Sequence, residues 1–370
     1  MSQLTLSNGG SFRPLTLGEK LWLVPILLKL PFAIAVGIFR GNKGRSWSRS
    51  ANVALTRYIF DHDWDIHAMH SFIGVTTSQM YRKWARSVKQ EVLTDELPEG
   101  AKLHWIGPRR DASHHKVFLY FHGGGYVLPA RADYFPFLHS LQKALSADVG
   151  EVGVVALEYS LAPDAPVPTQ LRQANAALTH LLQKGIAPSN IVIGGDSAGG
   201  NLTLQLTSLL LHPLASIPAP PTLSQPLAGA VLISPWVALN VDAPSYARNE
   251  GKDVLFSRSY KFMVDLVRPG VTPELKHHAE PAAAPADWWS GLDAVYPRIL
   301  ITAGEHEGLF DQIIDVSRVI EQHVKDTTTV VEPGGLHEDM IFKFAVGQGG
   351  NGQDYDAIVA FLTRSFRGGN

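Results

Sequence analysis

Short apolar runs rich in β-branched residues recur along the chain from residue 102 onward, and longer stretches with helical spacing separate them. Near-continuous apolar runs of this length are typical of parallel strands that are buried on both faces of a sheet. The predicted strands are Lys116–Phe121, Gly153–Tyr159, Asn190–Gly194, Gly229–Ser234, Arg298–Ala303 and Thr328–Glu332. The predicted helices between them are Asp133–Ala147, Thr169–Gly185, Ala198–His212 and Leu309–Val324. This alternation predicts an α/β fold with an open, mostly parallel central sheet flanked by helices.

The residues before this alternating part have no strand pattern, and stretches such as Ser50–Phe60 and Thr77–Glu91 have mixed apolar and basic faces. We predict a helical cap or anchor segment at residues 1–98 and an α/β domain at residues 99–370. About sixty residues, 235–297, separate two predicted strands without a regular strand–helix unit. A connection of that length is usually functional, so we predict a cap insertion. The alternative is a surface insertion that packs by itself.

One N-terminal stretch, Leu21–Phe39, is apolar except for a single lysine. Thr16 and Glu19 form a capping-box pattern at its start, and Pro25 and Pro31 are expected to kink it. No basic region precedes it and no small-residue cleavage site follows it, which argues against a signal peptide. Three interpretations stay open: a helix that covers a hydrophobic pocket or belongs to the core, a helix that lies in the membrane surface, and a cleaved or spanning segment.

Composition narrows the function classes further. A formal net charge of -2 over 370 residues gives no reason to expect a nucleic-acid partner. The chain has no cysteine, which excludes disulfides, a thiol nucleophile and cysteine ligands for a metal. We expect no cofactor and a cytoplasmic location, with the protein either free or associated with a membrane. The sequence does not indicate an oligomeric state.

The pentapeptide Gly195-Asp196-Ser197-Ala198-Gly199 follows a predicted strand and begins a predicted helix. In this G-x-S-x-G setting a serine lies in a tight, strained turn that exposes its hydroxyl. Glycines are needed on both sides because a side chain there would collide with the neighbouring strand and helix. We predict that Ser197 is a nucleophile and that the positive end of the following helix points at it.

The tetrapeptide His122-Gly123-Gly124-Gly125 follows the predicted strand Lys116–Phe121. Consecutive glycines allow the chain to turn its amides toward one point and allow a substrate carbonyl to approach closely. We predict that the amides of Gly124, Gly125 and Ala198 form a three-donor oxyanion hole.

A base and an acid are expected after the last two predicted strands. His337 lies just beyond Thr328–Glu332, where a loop can reach back over the sheet to the serine. Three carboxylates, Glu305, Glu307 and Asp311, follow the strand before it. Local reasoning leaves all three open as the acid, since each could instead be a charge at a helix N-terminus. The order serine, acid, histidine is typical of hydrolases with a parallel sheet.

Another histidine group could mimic a metal site. His67 and His70 are spaced i, i+3, and His62 is nearby. Asp63 and Asp65 lie between His62 and His67. No closed set of ligands is evident. We therefore interpret the group as a solvated helical face and predict no metal.

These motifs resemble those of the hormone-sensitive-lipase family of α/β hydrolases. The run from Gly195 to Leu202 matches the family signature G-D-S-A-G-G-N-L, and the run from Phe121 to Tyr126 resembles its H-G-G-G signature. The segment Tyr159–Asp164 is similar to the family's Y-R-L-A-P-E, with Ser160 and Asp164 changed.

The resemblance implies an α/β-hydrolase fold and a serine enzyme that hydrolyses an apolar or bulky carboxylic ester, of esterase or deacetylase type. It maps the acid onto Glu307, where the family has aspartate, and it assigns supporting roles to His122, Gly123 and Asp196. The N-terminal hundred residues loosely resemble fungal members such as steryl acetyl hydrolases and hydrolases of secondary-metabolite pathways.

Two alternatives to ester hydrolysis remain. A biosynthetic catalyst could use the same residues for lactone opening or closure, acyl transfer or a rearrangement that excludes water. A ligand-binding receptor could use the same fold without chemistry. The gibberellin receptor resembles this family but lacks the catalytic histidine, whereas His337 is present here.

Overall fold

The computed structural model of the protein describes residues 12–40, 45–109 and 115–368. Its centre is an eight-stranded sheet in the order β1-β2-β4-β3-β5-β6-β7-β8. The strands are β1 (Thr94–Glu96), β2 (Lys102–Ile106), β3 (Lys116–Phe121), β4 (Val152–Glu158), β5 (Ile191–Asp196), β6 (Gly229–Ile233), β7 (Arg298–Gly304) and β8 (Asp326–Glu332). β2 runs antiparallel to β1 and β4, and all other neighbours are parallel. The predicted fold class, a mostly parallel sheet flanked by helices, is confirmed.

The helices enclose this sheet on both sides. Those before it are α1 (Leu17–Arg40), α2 (Trp47–Phe60), α3 (Ile66–Ile73) and α4 (Thr77–Ser87). Those that alternate with the strands or follow them are α5 (Tyr134–Val149), α6 (Thr169–Gln183), α7 (Ala198–Leu211), α12 (Phe310–His323), α13 (Asp339–Phe342) and α14 (Gln353–Arg367). Those between β6 and β7 are α8 (Pro244–Asn249), α9 (Ser257–Val267), α10 (Lys276–Ala279) and α11 (Leu292–Val295).

Two apolar cores lie on opposite faces of the sheet. Val117, Leu119 and Phe121 of β3 pack into the core that contains helices α6, α7 and α12. Phe118 and Tyr120, which alternate with them, pack into the core that contains α5 and α14. Successive side chains of a strand point to opposite faces, so burial on both faces accounts for the continuous apolar runs that predicted these strands.

All six predicted strands form, with ends that shift by at most two residues. The prediction that the chain is helical before the α/β domain is wrong for Thr94–Glu96, which form the edge strand β1. This strand exists because it pairs with β2, in the register Thr94 opposite His104. Three residues on a sheet edge carry no periodic pattern that could have predicted them.

Helix α1 forms as one element despite Pro25 and Pro31. The predicted capping box is present, since the Thr16 amide donates to Glu19 Oε2 (2.7 Å) and the Glu19 amide donates to Thr16 Oγ1 (3.3 Å). Gly37 allows close packing on α2, because a Cβ there would lie 2.2 Å from Ala54 Cβ.

Only one face of α1 is covered. Leu23 and Ile26 are buried with the main core, whereas Leu28 and Phe32 are 76% and 75% exposed. Leu17–Phe39 is long and apolar enough to cross a membrane by length and composition, with a mean hydropathy of 2.2 over a stretch of which 11% is buried. A fully buried core helix, one of the interpretations of the sequence, is therefore not what the structure contains.

Strand β5 and helix α7 meet at a turn that leaves no room for side chains. A Cβ on Gly199 would lie 1.9 Å from the Phe121 carbonyl oxygen, and one on Gly195 would lie 2.4 Å from the same oxygen. Backbone atoms of a central strand cannot move without disturbing the sheet. The two glycines thus allow α7 to begin directly above β3.

Replacement of Gly199 by alanine is expected to lower the free energy of unfolding by about 1–3 kcal/mol or more, because the added methyl overlaps the β3 backbone. Chemical denaturation of the purified variant measures the loss. Gly18→Ala is the control, since no atom lies within 4 Å of the added methyl in α1, and it should not destabilise the protein. Equal stability of Gly199→Ala and wild type would contradict the packing argument.

Candidate active site

Ser197 lies between the end of β5 and the start of α7 in a strained conformation, with φ 49° and ψ -115°. Left-handed φ is uncommon for a residue with a side chain and persists only where the surroundings hold it. Here the Ser197 amide donates to the Ile233 carbonyl, and the Trp236 amide donates to the Ser197 carbonyl, each at 2.9 Å. The neighbouring strand β6 and the loop after it therefore hold the turn.

His337 follows strand β8 and lies between the serine and a carboxylate. Its Nε2 is 3.0 Å from Ser197 Oγ, and its Nδ1 is 2.7 Å from Glu307 Oε2. With Nδ1 protonated, the ring donates to Glu307 and its Nε2 lone pair can accept the serine proton. This arrangement can remove a proton from the hydroxyl.

The structure distinguishes the three candidate carboxylates. Glu307 is fully buried, and its second oxygen accepts from the Gly304 amide at 2.7 Å and from a neighbouring serine hydroxyl. Glu305 accepts from the Gly334 amide at 2.7 Å, and Asp311 pairs with Arg248 at 2.5 Å. Of the three, Glu307 is the one placed against the His337 ring.

Burial and neighbouring charges shift the pKa of His337 in opposite directions. Burial lowers its pKa, but the hydrogen bond that the ring donates to Glu307 and the charges of Glu338, Glu307 and Asp253 outweigh burial and raise the pKa to about 9. Burial raises the pKa of Glu307, and its hydrogen bond with His337 opposes this. The imidazole is thus surrounded by carboxylates that favour its protonated form.

The glycine loop after β3 adopts backbone conformations that need glycine, with φ 105° at Gly124 and 61° at Gly125. Within the described parts of the chain, no hydrogen-bond acceptor is present for the amides of Gly124, Gly125 and Ala198. Amides without an internal partner are available to an oxyanion.

Asp196 connects this loop to the turn at Ser197. Both of its carboxylate oxygens accept from the Gly123 amide at 3.0 Å, and Tyr120 and Tyr134 donate their hydroxyls to it. A Cβ on Gly123 would lie 2.2 Å from Asp196 Oδ2. The glycine at this position therefore allows the carboxylate to bind the loop backbone directly.

His122 supports the same loop from its other side. Its ring stacks on Tyr159 with centroids 4.2 Å apart, and its Nδ1 donates to the Gly123 carbonyl at 2.7 Å. Burial lowers its pKa to about 4, so it stays neutral at physiological pH.

The segment between β6 and β7 contributes side chains to the site. Asp253 accepts from the His337 amide at 3.0 Å and from the Gly308 amide at 2.8 Å. Met263 of α9 covers the glycine loop, since a Cβ on Gly125 would lie 2.2 Å from its sulfur. These contacts agree with a cap over the site, although the domain boundaries themselves stay predictions.

A model of the α/β-hydrolase fold family matches residues 118–341, more than half of the chain. The chain belongs to the α/β-hydrolase fold family. Among solved structures, this α/β hydrolase is similar to an esterase from the bacterial hormone-sensitive lipase family, with a TM-score of 0.61 and 24% identity, covering 88% of this chain and 99% of the other.

Curated relatives carry the same family names. The chain is 30% identical over 220 residues to an acetyl-hydrolase of Streptomyces hygroscopicus, covering 59% of this chain and 64% of the relative. It is 33% identical over 102 residues to the hormone-sensitive lipase of Homo sapiens, covering 26% of this chain and 9% of the relative. Each match spans less than two thirds of the relative's length. The resemblance to hormone-sensitive lipases is confirmed.

The interpretation of the N-terminal histidines as a solvated helical face is wrong for His70, which is buried. His70 Nε2 is bonded to the Val127 carbonyl at 2.5 Å, and His62 Nδ1 to the Tyr58 carbonyl at 2.8 Å. Across residues 12–40, 45–109 and 115–368, no three histidine or carboxylate side chains form a group that could hold a metal.

Sequence reasoning did not find Asp253, Glu338 or Arg131. Asp253 lies in the segment between β6 and β7, which has no periodic pattern, and Arg131 lies in the loop before α5. Glu338 is the residue directly after His337, so its position next to a predicted base was the one available signal.

Proposed function

We propose that this protein is a serine hydrolase that cleaves carboxylic esters with a short acyl group and an apolar body. The observation that carries the proposal is the chain of hydrogen bonds from Ser197 Oγ through His337 to Glu307, beside three amides without acceptors. Relatives named acetyl-hydrolase and esterase support it. A protein that only bound a ligand would not need this arrangement.

In the first half-reaction, His337 Nε2 takes the proton of Ser197 as Oγ attacks the ester carbonyl carbon. The carbonyl oxygen becomes negatively charged and accepts from the amides of Gly124, Gly125 and Ala198. Glu307 holds the ring through Nδ1 and stabilises the imidazolium. When the tetrahedral intermediate collapses, the C–O bond to the alcohol breaks and Nε2 returns the proton to the leaving alkoxide. An acyl-serine remains.

The second half-reaction repeats these roles with water. His337 removes a proton from water, the resulting hydroxide attacks the acyl carbon, and the same amides bind the oxyanion. Collapse breaks the bond to Ser197 Oγ, which regains its proton from Nε2, and the carboxylic acid leaves. Acyl transfer would use an acceptor other than water at this stage, so the acceptor decides between hydrolysis and the biosynthetic alternative.

Packing beside the glycine loop supports a short acyl group. Met263 lies directly on Gly125, on the loop where the ester carbonyl would bind, and its side chain is 5% exposed. An acyl chain that extended toward Gly125 would therefore meet this side chain. The name of the Streptomyces relative, acetyl-hydrolase, favours the same substrate class.

The proposal predicts that wild-type protein hydrolyses nitrophenyl acetate faster than nitrophenyl esters of longer acids, and that a fluorophosphonate labels it once. Ser197→Ala should lose the label and at least about 10³-fold in turnover, because no nucleophile remains. Ser290→Ala, at an exposed serine outside the site, is the control and should keep both. Labelling of Ser197→Ala, or turnover near the wild-type rate, would refute the covalent mechanism. Labelling of the wild type without ester turnover would favour the biosynthetic alternative.

Glu307→Gln is expected to reduce turnover by roughly 10²–10⁴-fold, since the amide cannot stabilise the imidazolium and favours the wrong ring tautomer. Glu305→Gln and Asp311→Asn should stay within about threefold of wild type, because neither side chain touches His337. Steady-state kinetics on all three variants measures this. A larger loss in either control would move the acid to that residue.

We propose further that α1 lies in the surface of a lipid bilayer. Its exposed face carries Leu17, Leu21 and Leu28, which are 74%, 64% and 76% exposed. Beyond its end, Trp47 is 70% exposed and packs edge-on against Phe39 at 6.1 Å. Aromatic side chains favour the interface between lipid and water.

Charge on α1 supports a lipid partner over a second copy of the protein. Lys20 and Lys29 are exposed, and no acidic residue follows Glu19 within the helix. Such a helix is attracted to anionic lipid headgroups. Its other face packs on α2 through Gly37. To span the bilayer, α1 would therefore have to separate from the rest of the protein.

Full-length protein is expected to float with vesicles that contain anionic lipid and to be released by alkaline carbonate, as a surface-bound protein is. The double variant Leu28→Ser/Phe32→Ser should reduce bound protein by at least about tenfold, because it removes two large apolar side chains from the lipid. Val88→Ser/Val92→Ser, at positions 40% and 41% exposed, is the matched control. No flotation of wild type, retention after carbonate treatment, or dimerisation lost in the same double variant would each overturn the proposal.

A further inference from the structure

Glu338 directly follows His337 and has a left-handed backbone, with φ 53° and ψ 29°. Its side chain is buried, and its Oε1 lies 3.5 Å from His337 Nε2. This is the ring nitrogen that faces Ser197 Oγ at 3.0 Å. The imidazole therefore has one carboxylate at each nitrogen, Glu307 at Nδ1 and Glu338 at Nε2.

A half-buried arginine keeps Glu338 ionised. Arg131 Nη1 donates to Glu338 Oε2 at 2.8 Å, and the guanidinium lies 4.1 Å from the centre of the Phe342 ring. Burial raises the pKa of Glu338, but the charges of Arg131 and His337 and a hydrogen bond with Asp196 lower it to about 2. Asp196 behaves in the opposite way, because burial and the Glu338 charge hold its pKa well above the usual range.

An ionised carboxylate at Nε2 distinguishes the two forms of the ring. In the neutral ring, the Nε2 lone pair faces the negative charge of Glu338, which is unfavourable. In the imidazolium, the Nε2–H and the positive charge face it, which is favourable. The imidazolium is also the form that His337 takes in each transition state of the proposed reaction.

We propose that Glu338 is a positioning residue that stabilises protonated His337 from the Nε2 side, both in the resting site and in the transition states. The proposal rests on the proposed hydrolase function. It follows that the protonated form of the ring is favoured in the resting protein, and that the fraction of His337 able to accept the proton of Ser197 rises with pH.

The charged and titratable groups around this pair come from several elements. Those that face His337 are Glu307, Glu338, Asp253 and Tyr260. Those that face Glu338, besides His337, are Arg131, Asp133, Asp196, Tyr120, Tyr134, Tyr159 and His122. Glu338 is the acidic group of this set that lies nearest to Nε2 and is held ionised by an arginine.

The pH dependence of kcat/KM reports the free protein's base. Since the pKa of His337 is raised to about 9, kcat/KM of wild type should rise with pH and level off above about pH 9. Below that pH the ring is protonated both in the resting site and in the transition state. Glu338 then stabilises both states equally and does not change the rate. Above that pH the ring is protonated in the transition state alone, so Glu338 raises the rate.

Glu338→Gln should therefore lower the apparent pKa of kcat/KM by about one unit and the alkaline plateau by about tenfold, while the rate at pH 7 changes by less than about threefold. Glu305→Gln, which contacts the same loop without touching His337, should keep the wild-type profile. A loss of equal size at every pH, with an unchanged apparent pKa, would show a merely structural role and overturn the proposal.

A measurement on the wild type keeps the test independent of both folding and turnover. The downfield Nδ1 proton of His337 in the NMR spectrum should titrate with a midpoint near 9. A midpoint at or below the ordinary histidine value of about 6.5 would overturn the proposal. A midpoint near 9 that falls by about one unit in Glu338→Gln, in a protein that hydrolyses no ester at any pH, would refute the proposed function and leave the electrostatic role of Glu338 standing.

Discussion

The close approach of helix α7 to strands β3 and β5 is the constraint on which the site depends. Gly195 and Gly199 lie against the Phe121 carbonyl at distances that no side chain would allow. Because the helix begins this close to the sheet, Ser197 is held in a left-handed turn, and Gly199 lies against the His122 carbonyl at the start of the glycine loop. Backbone packing thus brings Ser197 and the glycine loop to one edge of the sheet, as the carboxyl ends of parallel strands commonly do.

Buried carboxylates then set the electrostatics of this edge. Asp196 binds the glycine loop, while Glu307, Glu338 and Asp253 lie around a single histidine. In a site this buried, each uncompensated charge is costly, and Arg131 and His337 are the cations that balance them. The balance favours an imidazolium. This preference stabilises transition states that contain a protonated ring, and it leaves less of the neutral ring in the resting site at neutral pH.

The segment between β6 and β7 and helix α1 lie outside the alternating strand–helix pattern of the sheet, and each makes distinctive contacts. The segment between β6 and β7 contributes Asp253, which accepts from the His337 amide, and Met263, which lies on Gly125 of the glycine loop, so it contacts two parts of the candidate site. Helix α1 packs one face on the protein and leaves an apolar face exposed. A soluble esterase with a purely structural first helix would bury that face instead.

The sequence by itself determined the parallel strands, the turn at Ser197 and the glycine loop, because periodicity and turn chemistry are local properties of neighbouring residues. It also indicated His337 by its place after the last strand. Only the tertiary structure decided that Glu307 and not Glu305 contacts this histidine, that Glu338 reaches its other nitrogen, and that α1 stays exposed. Those outcomes depend on contacts between residues far apart in the chain and on how burial changes the energy of a charge. Neither is encoded in any single segment.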